Sequence, residues 1–162
     1  MKMIVCVSEN FGIGNKGDLL FSLPPDMKFI RETTLGKVVV MGRSTLDSFP
    51  GGKALKNRTN IVLTRDTDFS REDVEVVHSK EEALRLLENF NSDDIYIIGG
   101  AQIYELFRDV CDEALVTKVR KSVPCDAVFF NIDSDKDWTL SSMSEDMEHD
   151  GLVFNFCKYE KN

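Results

Sequence analysis

The hydrophobic pattern of the chain is one of short apolar runs separated by amphipathic stretches. Residues 2 to 8 are apolar and stop at the Ser8-Glu9-Asn10 turn signal, which predicts a first strand. Residues 9 to 23 follow neither a strand nor a helix period and hold Gly12, Gly14 and Gly17, which predicts a long loop of the functional or disordered kind. Pro24 and Pro25 suit a helix start, where missing amide donors cost little. The helix predicted over 25 to 34 sets Leu23, Met27, Ile30 and Thr34 near one stripe. Lys37 to Met41 is a β-branched run typical of a strand covered on both faces, and a short helix is expected from Arg43 to about Phe49-Pro50-Gly51-Gly52.

Asn60 to Thr64 and Val74 to Val77 read as further strands. Ser79-Lys80-Glu81-Glu82 has the form of a capping box, opening a helix with Ala83, Leu86, Leu87 and Phe90 on its apolar face. Ile95 to Ile98 is the next strand, and Gly99-Gly100 separates it from a helix with Ile103, Leu106, Phe107 and Val110 inward. After a strand over Ala114 to Val119 the pattern turns all-β, with Trp138 to Met143, an Asp150-Gly151 hairpin signal and Leu152 to Tyr159. Strands alternating with helices and closed by a hairpin imply an α/β fold, a mixed, mainly parallel sheet with helices on both faces. Sites in such sheets lie at the carboxyl ends of the strands. Asn10, Gly14, Arg43, Thr64, Arg65, Gly99 and Gly100 all fall there, which points to one cleft.

Composition narrows the classes. With 162 residues the chain is expected to form one domain over 1–162, burying roughly 70% of its unfolded surface. The first apolar run is too short for a signal or a membrane span, which favours the cytoplasm. Cys6, Cys111, Cys125 and Cys157 are scattered, so free thiols are expected rather than disulfides or a metal site. A formal charge of −8 argues against a nucleic-acid partner, although a few basic residues can still make a local positive pocket.

Several residues carry two readings. Gly12 to Gly17 matches G-x-G-x-x-G, but Leu19 to Pro25 follows where the dinucleotide fingerprint needs a helix, so that reading is rejected. Asp26 either complements a helix dipole or, sharing a face with Ile30 and Thr33, serves as an acid whose pKa apolar neighbours raise. Arg43-Ser44-Thr45 is a helix start or a phosphate site, and Thr64-Arg65 makes a second such pair. Gly99-Gly100 is a tight turn or a close approach for a cofactor. Arg58, alone in a loop just before a strand, reads as solvated. Met27, Ile30, Phe49 and Leu55 read as core. His78 and His149 lie in polar contexts and receive no role.

The succession Gly12-Ile13-Gly14-Asn15-Lys16-Gly17, Leu23-Pro24-Pro25-Asp26-Met27-Lys28 and Val38-Val39-Val40-Met41-Gly42-Arg43-Ser44-Thr45, with the later Ile95-Tyr96-Ile97-Ile98-Gly99-Gly100-Ala101-Gln102-Ile103-Tyr104, resembles the dihydrofolate reductases over nearly the whole chain. The resemblance implies a sheet of about eight strands with about four flanking helices and a monomeric, NADPH-dependent enzyme that reduces 7,8-dihydrofolate and binds antifolates. It implies that Asp26 promotes protonation of the pterin, oriented by Thr117, with Phe21 beside the ring. Ile4, Cys6, Met27, Ile30, Phe49, Leu55 and Ile98 would line the substrate, and Arg58 would take its α-carboxylate. Cys6, Ile13, Gly14, Leu19, Gly42, Arg43, Ser44, Thr45, Leu63, Thr64, Arg65 and Ser79 would contact NADPH, together with Ile98, Gly99, Gly100, Ala101, Gln102, Ile103 and Tyr104. Thr64, Arg65, Arg43 and Thr45 would hold its phosphates, the Gly99-Gly100 peptide would be cis, and Asp126 would bond the Gly12–Lys16 loop.

The chain departs from the family at Leu20-Phe21, where Pro-Trp is usual, which removes an indole donor, and at Gln102, where a basic residue is frequent. A related reductase acting on a pyrimidine of riboflavin synthesis would need a phosphate site in place of Arg58 and the apolar residues that would line the substrate. A binding module without catalysis would bind NADPH without turnover.

Overall fold

The computed structural model describes all 162 residues. In chain order it has β1 (Lys2–Val7), β2 (Gly12–Asn15), β3 (Asp18–Leu19), α1 (Pro24–Thr34), β4 (Val38–Gly42), α2 (Arg43–Ser48), β5 (Thr59–Leu63), β6 (Glu75–Val77) and α3 (Lys80–Leu87). There follow β7 (Ile95–Gly99), α4 (Ala101–Phe107), β8 (Glu113–Val119), β9 (Ala127–Val128), β10 (Trp138–Met143), β11 (Met147–His149) and β12 (Leu152–Lys161).

Alternation along the apolar strands builds two cores. Met3, Val5, Val7, Val38, Val40, Ile61 and Ile97 point to one face, against Ala83 and Leu87 of α3 and Ile103 and Phe107 of α4. Ile4, Val39, Met41, Val62 and Tyr96 point to the other, where Leu46 of α2 and the partly buried Phe29 and Ile30 of α1 cover them. All five residues of β4 are buried, as a strand covered on both faces requires. The main sheet is nine-stranded, with the path β10-β12-β8-β1-β7-β4-β5-β6 and with β11 paired to β12 off that path. Strands β8, β1, β7, β4, β5 and β6 run parallel, and β12 joins them antiparallel to β8. This is the mixed, mainly parallel sheet expected.

Four local readings need correction. The predicted loop over 9 to 23 holds a hairpin, β2 with β3, and β9 completes a three-stranded sheet. Its turn residues Lys16 and Gly17 both have positive φ (53° and 83°), the backbone that two-residue hairpins favour. These strands are tied by backbone bonds and bury little, so no alternation marks them. Met27, placed on the apolar stripe of α1, is 54% exposed, whereas Asp26 and Thr34 of that helix are buried. Leu106 also faces solvent, because α4 ends at Phe107 and its inward positions are Ile103, Tyr104 and Phe107. At α3 the Ser79 hydroxyl caps Glu82 N as expected, but the Glu82 carboxylate accepts from His78 N rather than from Ser79 N. The Asp150-Gly151 turn forms with positive φ at both residues, joining β11 to β12.

Candidate active site

The main sheet splits at its centre. Strand β1 stays paired with β8 from Lys2 to Val7, but with β7 only at Lys2 and Met3. Beyond that point the Ile4 carbonyl accepts from the Tyr104 hydroxyl at 2.7 Å instead of from β7. Tyr104 is buried, and its ring meets Phe129 edge-on. The seam between the carboxyl halves of β1 and β7 is therefore opened by an aromatic side chain from α4.

Asp26 lies at one side of this seam. Pro24 and Pro25 occupy the first turn of α1 and place Asp26 directly after them, 5% exposed. Thr117 of β8, also buried, donates its hydroxyl to Asp26 Oδ1 at 2.6 Å. Burial raises the Asp26 pKa above the ordinary carboxylate value, and hydrogen bonds from Thr117 and Cys6 offset part of that rise. A raised carboxyl pKa is the direction that proton transfer requires.

Arg58 is anchored rather than solvated. Its Nε donates to Thr34 Oγ1 (2.8 Å), Nη1 to the Lys56 carbonyl (2.5 Å) and Nη2 to the Arg31 carbonyl (2.6 Å). Each terminal nitrogen keeps another N–H free, so the fork is fixed to the end of α1 with donors to spare. Burial and then the neighbouring Arg31 charge lower its pKa. Phe49, Leu55 and Ile30 pack around the α2 face, and Met27 stands exposed beside them on α1.

A groove of about 1340 Å³ runs across the ends of β4, β5, β6 and β7. It is lined by Gly42, Arg43, Ser44, Leu63, Thr64, Arg65, Ser79, Gly100, Ala101, Gln102 and Ile103, all among the expected cofactor residues. Neither α2 nor α4 has a side-chain cap at its first turn, and both open onto this groove. The Thr45 hydroxyl sits behind Gly100, 3.7 Å from where a Cβ there would stand. The Gly99-Gly100 peptide is cis, and Gly99 has φ +122°, open to glycine alone without strain. Arg43 is already engaged: Nη1 meets Asp66 at 2.9 Å, and the guanidinium lies 4.3 Å over the Phe69 ring.

The remaining expected residues are more scattered. Ile13 and Gly14 lie on β2, and in the turn after it the Lys16 amide donates to Asp126 at 2.9 Å, the loop contact expected of Asp126. Leu19 on β3 is 74% exposed. Phe21 packs on the cluster of Leu23, Val119 and Phe154, as Cys6 does. Ile98 packs on the α2 face.

Three features escaped the sequence reading. His78 lines the groove and bonds the Thr64 carbonyl through Nδ1; its place just before the helix cap was the available signal. Phe29 stacks against Phe156 at 4.7 Å. The groove also continues past α4 to Arg108, Asp137, Trp138 and Lys161, which no motif marks. A separate cavity of about 300 Å³, between Ser8, Phe11, Lys118 and Asn155, holds none of the expected residues.

Comparison with known proteins agrees with this geometry. The dihydrofolate reductase family model matches residues 1–161. The dihydrofolate reductase of Staphylococcus haemolyticus is 33% identical over 96% of this chain and 91% of its own. That of Schistosoma mansoni is 34% identical over 99% and 95%, and that of Neisseria gonorrhoeae 35% over 97% and 95%. The structure of dihydrofolate reductase from Enterococcus faecalis complexed with NADP(H) and RAB-propyl superposes with a TM-score of 0.88 at 29% identity, covering 99% of this chain and 95% of that one. The chain belongs to the dihydrofolate reductase family.

Proposed function

We propose that this protein reduces 7,8-dihydrofolate to 5,6,7,8-tetrahydrofolate with NADPH, and that Asp26 promotes the protonation of the pterin. The observation that carries the reading is the buried carboxylate of Asp26, held by Thr117 at a seam in the sheet, next to a groove rich in phosphate donors. Bound in that groove, NADPH supplies the hydride.

The protein's part is placement and proton supply. The donor set fits a dinucleotide phosphate: Arg65 and Thr64 for a 2′-phosphate, Arg43, Ser44 and Thr45 with the uncapped turns of α2 and α4 for the pyrophosphate. Gly99 and Gly100 let a flat ring approach the backbone at the seam. Asp26 faces the seam from α1 and would bond a pterin's amino group and ring nitrogen. Arg58, locked to the end of α1, would receive the α-carboxylate, with Phe49, Leu55, Ile30 and Met27 along the middle of the substrate. Oriented this way, the reactants need little further ordering. Because burial raises the Asp26 pKa, kcat/KM falls as pH rises through that value.

The reading also takes the protein to be a cytoplasmic monomer; no helix is long and apolar enough to cross a membrane. The test is loss of reduced-nicotinamide absorbance with NADPH and dihydrofolate, beside an NADH control. Turnover that prefers NADPH is the expected result. A folded protein that binds NADPH without turning over dihydrofolate overturns the reading, in favour of a different substrate or a silent binding module.

A further inference from the structure

Strand alternation sets a thiol beside the acid. Met3, Val5 and Val7 of β1 face the core under α3 and α4, so Ile4 and Cys6 face the side covered by α1. In the β1–β8 register Cys6 stands opposite Thr117. Residues paired across neighbouring strands project to the same face, and Thr117 is the residue that donates to Asp26. Cys6 and Phe21 both pack on the cluster of Leu23, Val119 and Phe154, and Leu23 leads into the turn that carries Asp26. Cys6 is partly buried, on the strand position directly across from the threonine that holds the carboxylate.

We propose that Cys6 is a positioning residue for Asp26, its S–H donating to the carboxylate beside Thr117 and thereby fixing the orientation and proton affinity of the acid. The proposal rests on the reading of Asp26 given above. One hydroxyl on one carboxylate oxygen leaves the group free to swing about its terminal torsion, which is broad for a carboxylate. A second donor removes that freedom. The thiol is a weak donor, so it orients the acid without holding it firmly ionised, as an amide or guanidinium would. In return, burial and then the Asp26 charge push the thiol far up its own titration scale, so it stays a neutral S–H donor rather than a nucleophile.

The groups that act on Asp26 are few. Thr117 faces it from β8 and Cys6 from β1, and no Lys, Arg or His contributes to its shift. Tyr104 of α4 is close enough to feel the charge, but its hydroxyl is committed to the Ile4 carbonyl. Changes at Cys6 therefore reach the acid with little interference.

The test is the pH profile of kcat/KM for dihydrofolate in the wild type, Cys6→Ala and Cys6→Ser, with thermal melting measured alongside as a check of folding. Loss of the thiol in Cys6→Ala should move the descending limb up by about half a pH unit, the scale of one weak hydrogen bond. Cys6→Ser restores a donor and should return the limb to the wild-type position or below it. Thr117→Val should move it up further than Cys6→Ala. A Cys6→Ala limb that coincides with the wild type, or a serine variant that tracks the alanine one, overturns the proposal. If the alanine variant does not fold, a serine limb above the wild type does the same. Independently of turnover, alkylation of Cys6 by iodoacetamide, mapped by mass spectrometry, should be several-fold faster in Asp26→Asn, where no anion opposes thiolate formation. Equal rates count against the contact. Wild-type protein without turnover defeats the proposed function, whereas turnover with an unmoved limb defeats only the role of Cys6.

Discussion

The two ends of the cleft are built on opposite principles. At the seam, Asp26 is 5% and Thr117 2% exposed, and the acid is held by the Thr117 hydroxyl with no cation acting on it. In the groove, Arg43 is 43% exposed and shares the surface with Arg65, Ser44, Thr64 and Ser79. A proton must be exchanged where water is scarce, because burial is what lifts a carboxyl toward neutral pH. Phosphates stay charged throughout, so their recognition can be spread over many hydrated donors, each of modest worth. The contrast predicts that single substitutions hurt most at the seam and least in the groove.

Asp26→Asn should have the largest effect, a fall in kcat of about 10²–10⁴-fold at neutral pH with NADPH affinity retained. Stability should move the other way. Because the folded-state pKa of Asp26 is raised above 3.8, its contribution to stability is full below the unfolded value and is lost as pH rises through the folded one. The asparagine variant should therefore melt higher than the wild type at pH 7 to 8 and lose that advantage below about pH 4, as thermal melts across pH would show.

Arg58→Leu comes next. Losing a bidentate carboxylate partner should raise KM for dihydrofolate about 10- to 100-fold while kcat changes little. A pterin without the glutamate tail should show no such rise. Melting temperature should also drop, because Thr34 and the Lys56 and Arg31 carbonyls lose their donor.

In the groove, Arg65→Ala should weaken NADPH about tenfold and leave NADH unchanged, measured by fluorescence titration. Equal losses for both cofactors would move Arg65 away from the 2′-phosphate. The smallest effect is expected for Asp66→Ala, which frees Arg43 from its partner. NADPH should bind about two- to threefold more tightly, in keeping with the small worth of an exposed ion pair. A loss larger than that would mean Asp66 holds Arg43 in its binding posture.

Most of the sheet could be read from the sequence, because strands buried on both faces leave unbroken β-branched runs such as Val38 to Met41. The hairpin over Gly12 to Leu19 could not, since backbone bonding to β9 holds it and its side chains bury little. Asp26 stood out through its two prolines and the resemblance around it. Its bond to Thr117, 91 residues away, was supplied by the resemblance alone, for a threonine in a strand is otherwise ordinary. Met27 and Leu106 were misplaced for one reason: helical spacing marks a stripe but does not say where the covering layer ends. His78 was passed over because a polar setting in sequence gives no hint of a groove in space.

The hydroxyl of Tyr104 on the Ile4 carbonyl makes the sheet, in effect, two rafts moored together at Lys2 and Met3. One raft holds β1 with β8, β12 and β10, and the other holds β7 with β4, β5 and β6. The acid's orienting groups ride on the first and the phosphate donors on the second. A molecule lying across the split would lash the two together, and amide hydrogen exchange along the free edges of β1 and β7 would report how tightly.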